Sequence, residues 1–272
     1  MRYLAPAKLN LFLHVTARRS DGFHDLETVF QLVDLQDELE IDSRSDGRIV
    51  REPPPEDALL ASLADEDDLC VRAARLLQQA SGTALGASIH VRKRIPAGGG
   101  LGGGSSDAAC VLRALNTQWE LHWPVARLAE LGLALGSDVP VFVHGRNAFA
   151  SGRGEVLAPL QLPRRWFLIV HPGISVATRE IFSAPDLTRD TPPLTIRAVP
   201  ADGGRNDCEP VVRRRHPEVA RVLDLLAPWG ARLTGTGACV FTAFGERAGA
   251  EEVLRILPPG VTGYIAQGLP DP

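Results

Sequence analysis

The chain has 272 residues, of which 44% are hydrophobic and 23% charged, and a formal net charge of -4. That balance is typical of an ordinary globular protein, excludes wholesale disorder, and disfavours general binding to phosphate backbones, so no nucleic-acid partner is expected. There is no run of about 18 apolar residues, so no membrane span and no membrane partner are expected. Nothing at the start reads as an export signal, and the scattered Cys70, Cys110, Cys208 and Cys239 form no CxxC pair. Both features suit reduced thiols in a cytoplasmic protein. Of the 29 basic residues only Lys8 and Lys93 are lysine.

Residues 8–16 alternate, with Leu9, Leu11, Leu13 and Val15 on one side and Lys8, Asn10, Phe12 and His14 on the other. Period two predicts a strand with one buried face, from which Lys8 and Asn10 project together on the side without aliphatic residues. A turn follows over 18–22, then strand-like pieces around 28–32 and 39–41. Residues 42–57, with Asp46-Gly47 and Pro53-Pro54-Pro55, read as a hairpin tip or surface loop. Asp67 and Asp68 open an amphipathic helix through Gln79 that Gly82 stops. Residues 87–95 read as a strand, and 105–117 and 124–134 as helices, the second begun by Pro124. Residues 145–155 form a glycine-punctuated return and 166–171 a buried strand. Residues 185–205 read as a long loop. Helices are predicted at 207–227 and 246–257, with strands at 231–244 and 261–267. Strands and helices mixed without strict alternation indicate an α+β fold. A division near 155 gives an N-terminal domain over 1–155 and a C-terminal domain over 156–272.

The strongest local signal is Ile95-Pro96-Ala97-Gly98-Gly99-Gly100-Leu101-Gly102-Gly103-Gly104-Ser105-Ser106-Asp107, with six glycines between a strand and a helix. Glycine permits close backbone approach and positive φ. The N–H groups at the start of the following helix carry partial positive charge, so the segment suits a polyphosphate. Ser105 and Ser106 add hydroxyl donors. No Gly-Lys-Ser/Thr follows, so this is not a Walker A loop, and 97 residues precede Gly98, which argues against a Rossmann unit.

Residues Pro96 to Ala109 resemble the phosphate loop of the GHMP kinases. Further blocks, in order along the chain, resemble the branch of that family acting on a cytidine-diphosphate-linked methylerythritol. They are Pro6 to Leu13, Asp21 to Leu26, Gly136 to Phe142, Gly152 to Glu155, His171 to Gly173, Asn206 to Glu209 and Leu233 to Phe241. The resemblance implies two α+β domains with the active site in the cleft between them. It also implies transfer of the γ-phosphoryl group of ATP to the 2-hydroxyl of that alcohol in the non-mevalonate isoprenoid precursor pathway. ATP is then a co-substrate and Mg²⁺ is expected with it, without an assigned protein ligand.

Residue by residue, the resemblance implies Asp138 as the group that orients the hydroxyl and accepts its proton. Lys8 would support the charge on that carboxylate and help neutralise the transferring phosphoryl group. ATP contacts fall to Pro96, Ala97, Gly98, Gly99, Gly100, Leu101, Gly102, Gly103, Gly104, Ser105 and Ser106, with Leu69 lining the pocket. Substrate contacts fall to Asn10 on the alcohol and to Phe23, His24 and Phe182 on the base. Phe23 stands where family members often have tyrosine, and Asp68 where they commonly have asparagine near the adenine. Lys93 approaches the nucleotide or is ordinary surface. Gly235-Thr236-Gly237 resembles the third family motif, which approaches the phosphate loop, and is otherwise a tight hairpin. Two alternatives remain: another GHMP kinase, of homoserine or mevalonate type, and a non-catalytic nucleotide-binding protein.

Overall fold

A computed structural model of the chain describes residues 1–52, 67–194 and 204–270. The structure is α+β, with ten strands and eight α-helices among the described residues. By contacts it divides into two compact units that do not follow chain order. One holds Met1–Ala7, Gln36–Ile95 and Gly102–Gly145; the other holds Lys8–Leu35, Pro96–Leu101 and Arg146–Pro272. Among the described residues no helix is long and apolar enough to cross a membrane.

Strands β1 (Arg2–Arg18) and β2 (His24–Arg44) pair with each other and contribute to both units. In the first unit, residues 38–44 of β2 run antiparallel to β4 (Gly86–Arg92), with Glu38 opposite Arg92. Strand β3 (Ile49–Glu52) lies parallel to β4, so residues 49–52 are strand, not part of the expected loop; 53–57 lie outside the described residues. Helix α1 (Leu69–Ser81) begins as the sequence predicts. The Asp68 side chain accepts from the N–H groups of Cys70 and Val71, and Gly82 closes the helix with φ 70°. It packs on α2 (Gly103–Gln118), which packs on α4 (Val139–His144); α3 (Val125–Leu133) packs on α4 as well. Val71, Leu77, Ile89, Leu112 and Leu115 are fully buried here, each contributing about 1.5–3 kcal/mol.

In the second unit, residues 28–30 of β2 pair with β5 (Ala148–Ser151), and β5 with β6 (Val156–Pro159). A separate antiparallel sheet runs in the order β10 (Thr262–Gln267), β7 (Trp166–His171), β9 (Val240–Phe244), β8 (Arg232–Leu233). Helices α5 (Thr178–Phe182), α6 (Glu209–Arg215), α7 (Pro217–Leu226) and α8 (Arg247–Leu254) complete it. Leu13, Val15, Leu168, Val170, Val212, Leu223 and Val240 share one core.

Several sequence expectations need correction. β1 starts at Arg2, and it is buried on both sides over 8–14 apart from Leu11, because polar partners cover Lys8 and Asn10. The separate pieces at 28–32 and 39–41 belong to one long strand. The strand expected over 87–95 stops at Arg92, where the N–H groups of Arg94 and Ile95 turn to the Asp37 carboxylate at 2.5 and 2.9 Å. The helix over 207–227 is two helices, α6 and α7, parted at His216-Pro217, since proline cannot donate within a helix. The loop expected over 185–205 lacks regular structure to Leu194, and residues 195–203 lie outside the described residues.

Candidate active site

The glycine segment forms a tight loop that leads directly into a helix. Gly98, Gly100 and Gly102 have φ of 65°, 74° and 73°, and Gly102 stands at the N-cap of α2. At Gly100 the requirement is twofold. Its φ lies in the left-handed region, and a Cβ there would stand 2.3 Å from the Thr234 carbonyl oxygen. The loop is bound to the segment 234–239 through backbone bonds. Ala238 N donates to Gly98 O and Cys239 N to Gly99 O, both at 3.0 Å. The Gly235-Thr236-Gly237 turn therefore does approach the phosphate loop.

The first turn of α2 offers backbone N–H groups that the helix itself cannot satisfy. Ser106 lies in that turn, buried, and among the described residues its hydroxyl has no hydrogen-bond partner. The Leu69 side chain lies against the same turn, 3.2 Å from where a Cβ on Gly104 would stand. Asp68 caps α1 and pairs with Arg51 at 2.8 Å, so its charge has a local structural use.

A second cluster surrounds Lys8. The residue is only 3% exposed, within β1 and not a solvated strand end. Its backbone N–H donates to Leu101 O of the phosphate loop at 3.0 Å. Its ammonium donates to Asn10 Oδ1 at 2.5 Å and sits 5.4 Å from the Phe30 ring centroid. Asn10 Nδ2 donates to Thr28 Oγ1 at 2.9 Å, and Asn10 N donates to Thr234 Oγ1 at 3.0 Å. Asn206 Nδ2 braces the neighbouring turn by donating to Leu233 O and Gly235 O at 2.9 and 2.8 Å. Its motif neighbour Asp207 accepts from Val15 N and Thr191 Oγ1, a scaffolding role.

Asp138 stands half-buried at the N-cap position of α4, yet its side chain makes no capping hydrogen bond. The turn containing it runs beside Ser105, whose hydroxyl would lie 3.7 Å from a Cβ on Gly136.

Lys93 is not ordinary surface. Its ammonium is held between Asp37 and Asp107, with Asp107 Oδ2 at 2.6 Å. It lies 3.3 Å from where a Cβ on Gly103 would stand, directly against the start of α2. Burial works to lower its pKa, but the charges of Asp107 and Asp37 outweigh that and raise it. Burial pushes Asp107 up to about 7, against the pull of Lys93 and with the repulsion of Asp37. The sequence pattern alone does not single out Asp37 and Asp107. An acidic residue on the buried side of α2 was the one available signal for Asp107, and Asp37 gave none.

The residues expected at the base divide into two groups. His24 and Phe182 stack, with ring centroids 5.3 Å apart and planes 26° apart. Phe23 is 51% exposed, and the Arg153 guanidinium lies 4.9 Å from its ring centroid.

The geometry agrees with comparison to known proteins. The family model for the GHMP kinases N terminal domain matches residues 68–146, and that for the GHMP kinases C terminal domain matches 197–259. A 4-diphosphocytidyl-2-C-methyl-D-erythritol kinase from Ectopseudomonas mendocina is 54% identical over 97% of this chain and 89% of its own length. One of the same name from Pseudomonas syringae is 52% identical over 97% and 92%. A crystal structure of 4-(cytidine 5'-diphospho)-2C-methyl-D-erythritol kinase superposes with a TM-score of 0.82 at 34% identity, covering 99% of this chain and all of that one. The Methanococcus jannaschii mevalonate kinase, with a TM-score of 0.73 at 15% identity over 99% and 98%, shares the fold. A glycine loop tied to its partner turn, a buried lysine bonded to that loop and relatives matched along nearly the whole chain thus converge: the chain belongs to the 4-diphosphocytidyl-2-C-methyl-D-erythritol kinase family of the GHMP kinases.

Proposed function

We propose that the protein transfers the γ-phosphoryl group of ATP to the 2-hydroxyl of 4-diphosphocytidyl-2-C-methyl-D-erythritol. The observation that carries this reading is the bond from Lys8 N to Leu101 O, which fixes a buried lysine to the phosphate loop itself. Phosphoryl transfer needs alignment and charge stabilisation more than covalent chemistry from the protein. The loop backbone from Pro96 through Gly104 and the N–H groups opening α2 hold the phosphates, with Ser105 and Ser106 as hydroxyl partners. Lys8, oriented by Asn10, neutralises charge on the transferring group. Asp138, whose side chain is not used as a helix cap, orients the substrate hydroxyl and takes its proton. Asn10 contacts the alcohol, while His24, Phe182 and Phe23 hold the base.

The Ser106 hydroxyl, without a hydrogen-bond partner among the described residues, would serve as a ligand to Mg²⁺ carried by ATP. When bound, the ion would neutralise phosphate charge.

A cytoplasmic location fits the four free cysteines. Burial pushes the Cys110 and Cys208 thiols up to about 12, so they stay protonated and unreactive. A domain division at 155/156 falls in the gap between the two family models, over 68–146 and 197–259, whereas the contact-defined units interleave along the chain. The decisive experiment offers the purified enzyme MgATP with the cytidylated alcohol, homoserine or mevalonate in turn. Turnover confined to the first is expected; turnover of either of the others alone would replace the substrate assignment.

A further inference from the structure

Arg189 lies in the segment after α5, which forms neither helix nor strand. Its guanidinium has five N–H donors and no acceptor. All five meet an acceptor within the same unit. Nε donates to His24 Nε2 at 3.0 Å. Nη2 donates to Phe182 O at 3.1 Å and Ala184 O at 2.5 Å, and Nη1 donates to Leu187 O at 3.0 Å and, at the limit of length, to Pro185 O at 3.5 Å. One side chain thus grips the backbone of Phe182 and the ring of His24, the two partners of the aromatic stack.

The consequence for His24 follows from proton bookkeeping. An arginine stays protonated and can only donate, so His24 Nε2 must accept. In the neutral ring an accepting Nε2 means that the proton sits on Nδ1. From these contacts we infer that Arg189 is a positioning residue that fixes His24 as an Nδ1–H donor for the base of the nucleotide-linked substrate. Arg189 does not contact the ligand itself, because its donors are already used. The inference rests on the proposed cytidylated substrate. A fixed donor selects a base that presents an acceptor: cytosine has an unprotonated ring N3, whereas uracil carries N–H there.

The experiment combines nitrogen-15 NMR of histidine-labelled enzyme with kinetics. His24 signals, assigned by their loss in His24→Gln, should report a protonated Nδ1 and a bare Nε2 in the wild-type protein. In Arg189→Gln that preference should disappear. KM for the cytidylated alcohol should rise about 10- to 100-fold, as expected for losing one well-placed hydrogen bond, with KM for ATP unchanged. The effects of Arg189→Gln and His24→Gln on that KM should not add, since both remove the same donor. A protonated Nε2 in the wild type overturns the inference, as do an unchanged tautomer in Arg189→Gln and fully additive effects. The wild-type spectrum decides even if Arg189→Gln folds poorly. Failure of the substrate reading looks different: the tautomer is as described, but the wild-type enzyme does not turn over the cytidylated alcohol. Equal use of the uridine analogue by the wild type would separate His24 from base selection and overturn the inference on that ground.

Discussion

Replacing Lys93 with methionine should destabilise the fold in a pH-dependent way. The ammonium is bound to two buried carboxylates, Asp37 and Asp107. Two oxygens bonded to one nitrogen lie at most about 5 Å apart, and at an effective dielectric near 20 their unscreened repulsion is about 3 kcal/mol. That agrees with the roughly 3–5 kcal/mol typical of removing one member of a buried ion pair. For a chain of this length it corresponds to a fall in Tm of about 10 °C. The sign with pH follows from Asp107, already raised to about 7 in the folded wild type. A raised carboxyl pKa contributes stability that is complete below the unfolded value and lost as pH rises through the folded one. Without Lys93 the folded value climbs further, so the variant goes on losing stability where the wild type has stopped. The deficit should therefore grow as pH rises, by at most about 1.4 kcal/mol per pH unit. Thermal unfolding at pH near 6 and near 8.5, with and without ATP, measures both effects. A Tm within about 2 °C of wild type at the higher pH, or a deficit identical at both, would refute the reasoning.

Two further outcomes follow from the site. Asp138→Asn keeps the shape of the side chain but cannot take the proton, so kcat should fall by about 10²–10⁴-fold with KM for ATP little changed; single-turnover kinetics near the wild-type rate would remove Asp138 from the chemistry. Gly100→Ala drives a Cβ to within 2.3 Å of Thr234 O at a φ of 74°, so the loop must shift. KM for ATP should rise by about tenfold or more while far-ultraviolet circular dichroism is preserved, and an unchanged KM would show that this backbone conformation is not needed.

How far the sequence revealed the molecule depended on whether each signal was local. Helix α1 could be read at both ends because Asp68 and Gly82 are chemical caps, and β7 because its six residues are a bounded apolar run. The glycine loop was legible because so many glycines between a strand and a helix have few uses. Helix α4 was not, because its valine-rich VPVFVH has strand-like composition and only six residues. The alternation of β1 predicts one buried face only, because the Thr28 and Thr234 that cover its polar face come from elsewhere in the chain, the latter 224 residues from Asn10. The Asp37–Lys93 contact spans 56 positions, and Arg189 reaches His24 across 165. Neither follows a period or a motif, so only the folded chain shows them. Pairings that far apart carry no imprint in neighbouring residues, whereas the resemblance to a family carried Lys8, Asp138 and His24 by motif alone.

The scarcity of lysine has a consequence for how this chain can be modified. Its only two side-chain amines are Lys8 and Lys93, the first in the strand bonded to the phosphate loop and the second wedged against the start of α2. Both are screened by the surrounding fold. Acylation or glycation of a lysine anywhere on this protein therefore cannot be a harmless decoration of its surface. It must strike an amine already engaged inside the fold, Lys8 on Asn10 or Lys93 on Asp37 and Asp107, and must first gain access to it.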